Sequence, residues 1–142
     1  MIIPDINLIV YAHDETVAVH GKAREWWEKT ITGPEVVGIP WVCVLGFVRL
    51  LSDPRVVEHP APAVDLMARM ERVLGLSTVR PAVPGVKHAA TMRRLFNETG
   101  ATGRLTTDVH LAALAIDLSA VLASNDTDFA RFSELRWTNP IN

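Results

Sequence analysis

The sequence predicts an α/β fold: a single domain built on a central parallel sheet, flanked by helices on both faces. Three observations predict it. Short apolar runs at residues 1–4, 35–39, 76–80 and 120–124 alternate with segments of helical length and periodicity. Acidic residues follow two of these runs closely, Asp5 directly after the first and Asp126 with Asp128 just beyond Asn125 after the last. The length of 142 residues and the hydrophobic content of 49% suit one domain over residues 1–142 with a substantial core.

Residues 1–4 read as a strand that delivers Asp5, and residues 6–12 as a helix with Asn7 just inside its start. Residues 17–30 form an amphipathic helix, with Trp26 and Trp27 set among charges and Gly33-Pro34 as the stop. His13 and His20, on either side of the Asp14-Glu15-Thr16 loop, are expected at the surface or an edge. A strand over residues 35–39 closes at Pro40. Residues 41–51, WVCVLGFVRLL, are apolar nearly all round, which predicts a buried helix ending at Ser52-Asp53-Pro54. Gly46 within it costs about 1 kcal/mol relative to alanine, so packing must require the missing side chain. Arg49 in so apolar a segment must reach a carboxylate or water. The first would place it at the rim of an acid pocket.

Residues 55–62 read as a loop and residues 63–74 as an amphipathic helix with Leu66, Met67, Met70 and Val73 as its buried stripe. Residues 76–80 predict a strand stopping before Pro81, and residues 85–99 a helix carrying Lys87, Arg93 and Arg94. Asp108 then opens an Ala/Leu-rich helix, with Thr106 or Thr107 as its cap. The helix ends near Ser119 and gives way to a short apolar strand over residues 120–124 of the kind covered on both faces. Asn125, Asp126 and Asp128 follow at its carboxyl end, and residues 135–141 predict an edge strand limited by Pro140.

Composition narrows the function classes. A net charge of −2 and a sequence pI of about 6.2 deny the chain a general attraction for nucleic acid. Any polyanionic substrate would need a bound metal and a local arginine cluster. The single cysteine, Cys43, excludes a disulfide framework and has no partner at zinc-ligand spacing, so a reducing cytoplasm is the expected location. Polar residues interrupt the apolar start, so neither a signal peptide nor a membrane span is expected there. A mean hydropathy of +0.18 and four tryptophans call for extensive burial, part of it against a partner.

The acids carry the functional reading. Taken singly, Asp5 and Asp108 fit helix starts and the Asn125–Asp128 run fits a solvated turn. Taken together, Asp5, Asp108, Asp126 and Asp128 all neighbour the carboxyl ends of strands, where open α/β sheets bind ligands. Unit charges within about 4 Å repel by roughly 4 kcal/mol per pair at an effective dielectric of 20, so a multivalent cation or protonation must relieve the cluster. All-oxygen ligands suit Mg²⁺, with Mn²⁺ as a substitute, and phosphoryl chemistry.

The segments DINLIVYAHDE, WVCVLGFVRLLSDPRV and TGRLTTDVHLAALAIDLSAVLASNDTDFARF together resemble the PIN-domain ribonucleases, most closely the VapC toxins of type II toxin-antitoxin pairs. The resemblance covers essentially the whole length. It implies a PIN-like domain and Mg²⁺-dependent endoribonuclease activity on RNA phosphodiesters, with Asp5, Asp108 and Asp126 on the metal and Asp128 close beside them. Asn7 and Asn125 would support the acids. It also implies a small VapB-like antitoxin as cognate partner and a homodimer. For such a nuclease, Arg49, Arg55, Arg93, Arg94 and Arg104 are the candidates for contacting the RNA backbone. The family usually has a glutamate where this chain has Gly46. The alternative is therefore a catalytically impaired PIN-fold module that binds RNA or protein.

Overall fold

The computed structural model describes residues 1–142. Five strands, β1 (Ile2–Pro4), β2 (Val37–Pro40), β3 (Val79–Ala82), β4 (Val121–Ala123) and β5 (Trp137–Thr138), form one sheet in the order β3-β2-β1-β4-β5. All neighbours pair in parallel. Six helices connect them: α1 (Ile6–His13), α2 (His20–Thr32), α3 (Trp41–Leu51), α4 (Ala63–Leu74), α5 (His88–Thr99) and α6 (Thr106–Asp117).

The strand order sets where the helices go. From β1 the chain steps outward through β2 to β3, and right-handed crossovers place α1 to α4 on one face. It then returns across β1 to β4, so α5 and α6 cover the other face. The helix contacts agree, α1 packing on α2 and α3, α3 on α4, and α5 on α6. Both faces being covered, the three inner strands β1, β2 and β4 are apolar, with Ile3, Val37, Ile39 and Leu122 fully buried. Reversal of direction between β1 and β4 creates the sheet's topological switch point.

Several boundaries differ from those the sequence predicts. β3 continues through Pro81 to Ala82, because it is an edge strand paired only with β2 and a proline there sacrifices no ladder bond on its free side. β5 is limited to Trp137–Thr138. α2 starts at His20 and α5 at His88, each after a turn. Neither Thr106 nor Thr107 caps α6: both lie inside it, because a 3-10 turn over Gly103–Leu105 runs straight into the helix. Trp27 is buried and Trp26 and Trp137 half-buried, whereas Trp41 is 50% exposed. His13 is half-buried at an edge of the core. Its ring stands edge-on to Phe47 and Trp27 and its Nδ1 lies 2.7 Å from the carbonyl of Ile9.

Gly46 has the packing reason the sequence demands. It is buried on α3, and a Cβ there would stand 2.7 Å from Ile6 Cδ1 and 3.1 Å from Ile6 Cγ1. The bare backbone lets the first residue of α1 lie against α3. Adding a side chain should therefore cost about 1–3 kcal/mol through overpacking, more than the helical preference gained. Urea unfolding of Gly46→Glu should show this loss, and the loss should shrink in an Ile6→Ala background. An equal cost in both backgrounds would show that Ile6 is not what fills the space.

Candidate metal centre

β1 and β4 lie side by side with Pro4 opposite Ala123, so the residues leaving their carboxyl ends meet in the crevice at the switch point. Asp5 leaves β1 and Ser124-Asn125-Asp126 leave β4, while Asp108 occupies the first turn of α6, whose start lies at the same edge.

Asp126, Asp108 and Asp128 are half-buried, and each offers a carboxylate oxygen within 4.8 Å of the others'. Asp5 is outside that trio and deeper, only 8% exposed. Its Oδ1 accepts from the amide of Ile6 at 2.7 Å, starting α1, and its Oδ2 accepts from the Ser124 hydroxyl at 2.6 Å. The geometry thus joins Asp128 to Asp108 and Asp126, with Asp5 behind them. Asp126 also accepts from the amide of Asp128 at 2.8 Å, which begins a 3-10 turn over Thr127–Arg131 and turns Asp128 back toward its neighbours.

Ser124 is the hub of this arrangement, and it is fully buried. Its hydroxyl donates to Asp5 and accepts both the amide of Asp126 at 2.9 Å and the Asn7 side chain at 3.1 Å. Asn7 in turn accepts from the amide of Asn125 at 3.4 Å, and Asn125 accepts from the Asn139 side chain at 3.0 Å. Asn7 and Asn125 therefore lace the start of α1 to the loop after β4. Sequence reasoning missed Ser124, which reads there as the last residue of an apolar strand.

The electrostatics follow from this crowding. Burial pushes the Asp5 carboxyl above the ordinary carboxylate range; the Ser124 and Ile6 hydrogen bonds oppose that push and the nearby Asp126 charge adds to it. Asp108 is pushed up to about 6, first by burial and then by repulsion from Asp126, Asp5 and Asp128. The donors are carboxylates without histidine or thiol, so the site fits a hard divalent ion, and binding one would relieve the repulsion.

The arginines divide. Arg104, before α6, reaches Asp128 at 3.4 Å. Arg93 and Arg94 share a groove along α5 with Lys87, which the sequence reading had not placed among the RNA contacts. Arg94 is already paired with Glu98 and Glu134. Arg49 does not reach the acid rim: it lies exposed in the last turn of α3, the end away from the sheet's carboxyl edge, and so reaches water. Arg55, beyond that end, pairs with Asp53 at 3.1 Å. Arg131, absent from the sequence reading, donates to the Asp128 carboxylate at 3.0 Å.

This fold and its acidic switch point define a class of protein. The family model of the PIN domain matches residues 2–135, and the chain belongs to that family. Within it, the chain is 38% identical to Ribonuclease VapC33 of Mycobacterium tuberculosis, over 99% of both chains. It is 32% identical to Ribonuclease VapC43 of the same organism, over 100% of this chain and 97% of the other. Among solved structures it superposes on FitAcB of Neisseria gonorrhoeae with TM-score 0.68 at 22% identity, covering 99% of this chain and 98% of that one. It also matches VapC20 of Mycobacterium tuberculosis, a sarcin-ricin loop cleaving toxin, with TM-score 0.66 at 19% identity, covering 96% of this chain and 99% of that one.

Proposed function

We propose that the chain is a VapC-type toxin, an endoribonuclease that hydrolyses RNA phosphodiesters at the acid cluster with Mg²⁺, or Mn²⁺ in its place. The observation that carries this reading is the meeting of Asp108, Asp126 and Asp128 around one point, backed by Asp5, at the switch point of a PIN domain whose curated relatives are named ribonucleases. A divalent ion held there supplies positive charge for the scissile phosphate and a water polarised for in-line attack. The chain's own residues do the rest. Asp5, Asp108 and Asp126 hold the ion, and the Ser124 hydroxyl fixes Asp5 and the Asp126 backbone at once. Asp128 closes the open side, and Arg104 and the Lys87–Arg93 groove contact the strand. The missing Gly46 carboxylate leaves these four acids, enough for an ion that commonly uses one or two carboxylates and keeps its waters.

A small VapB-like antitoxin is the proposed partner, supported by toxin-antitoxin complexes among the structural neighbours, including one from Klebsiella pneumoniae. A homodimer is proposed with it. Trp41 and Leu45, one turn apart on α3 and 50% and 65% exposed, offer apolar surface for a protein partner. No helix is long and apolar enough to cross a membrane.

The reading is tested by RNA cleavage with the wild type and Asp5→Asn, with and without EDTA. Cleavage should require the divalent ion and fail in the variant; activity that survives EDTA would refute it. Independently of activity, Mn²⁺ at about 100 times its Kd should stabilise the protein by roughly 2.7 kcal/mol. An unchanged Tm across a Mn²⁺ titration would mean that the acids hold no ion.

A further inference from the structure

Asp128 is the one member of the acid trio that is already engaged by cations. Arg131, on the 3-10 turn after β4, donates from Nη2 to Asp128 Oδ1 at 3.0 Å and from Nε to the Asp128 carbonyl at 2.9 Å. Arg104 approaches from the other side, on the turn before α6, with Nη1 3.4 Å from Oδ2. A single carboxylate between two guanidinium groups leaves one positive charge over. Donors are left over as well, since a guanidinium has five N–H groups and Arg104 commits one of them here. Arg131 is 31% exposed and held at two points, whereas Arg104 is 80% exposed.

The position of this pair matters as much as its charge. Asp128 shares the point on which Asp108 and Asp126 converge, and the arginines engage its two carboxylate oxygens, Arg131 at Oδ1 and Arg104 at Oδ2. The Arg131 charge reaches far enough inward to oppose the upward push on the Asp108 carboxyl. A phosphate at the acids and a second phosphate of the same strand at the arginines would therefore be served by neighbouring groups. Guanidinium forks match phosphate oxygens geometrically, and the fixed Nε contact of Arg131 orients its fork in advance.

We propose that Arg104 and Arg131, bridged by Asp128, form a subsite for the RNA phosphate next to the one being cleaved. This rests on the nuclease reading. The subsite supplies cationic contacts that a chain of net charge −2 lacks in general, and it sets the register of the strand across the metal-holding acids. Arg131 and Arg104 bind and position; neither takes part in the bond change.

The experiment measures binding of a fluorescein-labelled, mixed-sequence single-stranded RNA in Ca²⁺ as a function of salt, for the wild type, Arg131→Gln, Arg104→Gln and Arg131→Lys. Each glutamine variant should weaken binding about 5-fold at moderate salt. It should also lower the slope of log Kd against log salt by about 0.7, the value for one phosphate contact to a single strand. Arg131→Lys should keep the slope. Mn²⁺ affinity, read by calorimetry without RNA, should stay within about 2-fold of the wild type in every variant, since ion pairs this exposed contribute little to the acid geometry. An unchanged slope in both glutamine variants overturns the subsite. So does a loss of Mn²⁺ affinity without a slope change, which would make the arginines props for Asp128. Weaker antitoxin binding with an unchanged RNA slope would assign the pair to the protein partner instead. A wild type that neither binds nor cleaves RNA fails the nuclease reading itself, an outcome distinct from these three.

Discussion

Asp108→Asn is expected to abolish RNA cleavage and, at the same time, to raise the thermal stability of the metal-free protein. Both effects come from one carboxylate. Removing a carboxylate proposed to hold the ion should cost several kcal/mol of transition-state stabilisation, roughly 1,000-fold or more in rate. In the absence of metal the same carboxylate is partly desolvated and, to a smaller extent, repelled by Asp126, Asp5 and Asp128, which is why it is pushed up to about 6. Fully buried, a shift of that size would correspond to about 3 kcal/mol; with Asp108 half exposed, about 1 kcal/mol is the reasonable figure. That is a gain of about 3 °C in Tm for a domain of this size.

The pH dependence has a definite sign. A carboxyl whose folded pKa lies above its ordinary value of 3.8 binds its proton more tightly in the folded state. Its stabilising contribution is complete below pH 3.8 and is lost as pH rises through about 6. The Tm gap between Asp108→Asn and the wild type should open over this interval and stay constant above it. Adding Mn²⁺ should close or reverse it, because the ion stabilises the ionised wild-type cluster. A variant less stable than the metal-free wild type at neutral pH would contradict the repulsion argument.

Ser124→Ala is expected to produce the largest loss of stability of any single-atom deletion at the site, about 2–4 kcal/mol by urea unfolding. The hydroxyl is fully buried and serves three partners, so its removal leaves the Asp126 amide, the Asn7 amide and the Asp5 carboxylate each short of a bond in a place water reaches poorly. Asp5 loses the strongest influence holding its carboxyl down, so its pKa should rise further. Cleavage should fall with it and recover partly at higher pH. A cost below about 1 kcal/mol would mean that the four residues are not mutually dependent.

How much of this is legible from residues alone depends on whether the signal is local. Asp5 and Asp126 could be placed because an acid directly after a short apolar run has few positions to occupy in a parallel sheet. Asp108 could be placed because an Ala/Leu-rich run advertises its start. Ser124 was hidden, since a serine ending a strand is unremarkable until β1 is known to lie beside β4. Arg131 was hidden for a similar reason: its spacing of three from Asp128 means nothing until a 3-10 turn is known to follow. Arg49 misled, because an apolar helix with one arginine cannot say which end of the sheet that arginine faces. Gly46 announced a packing demand, but its partner Ile6 stands 40 residues earlier, beyond the reach of periodicity.

The pairing of β1 with β4 also governs when activity can begin. Asp5 and the serine that fixes it are separated by 119 positions in the chain. β1 therefore waits, unpaired on that side, until β4 has been synthesised, and contacts of such long range form late and slowly. A nascent chain that ends before Ser124 carries no assembled centre. The delay between translation and activity is built into the order of the strands.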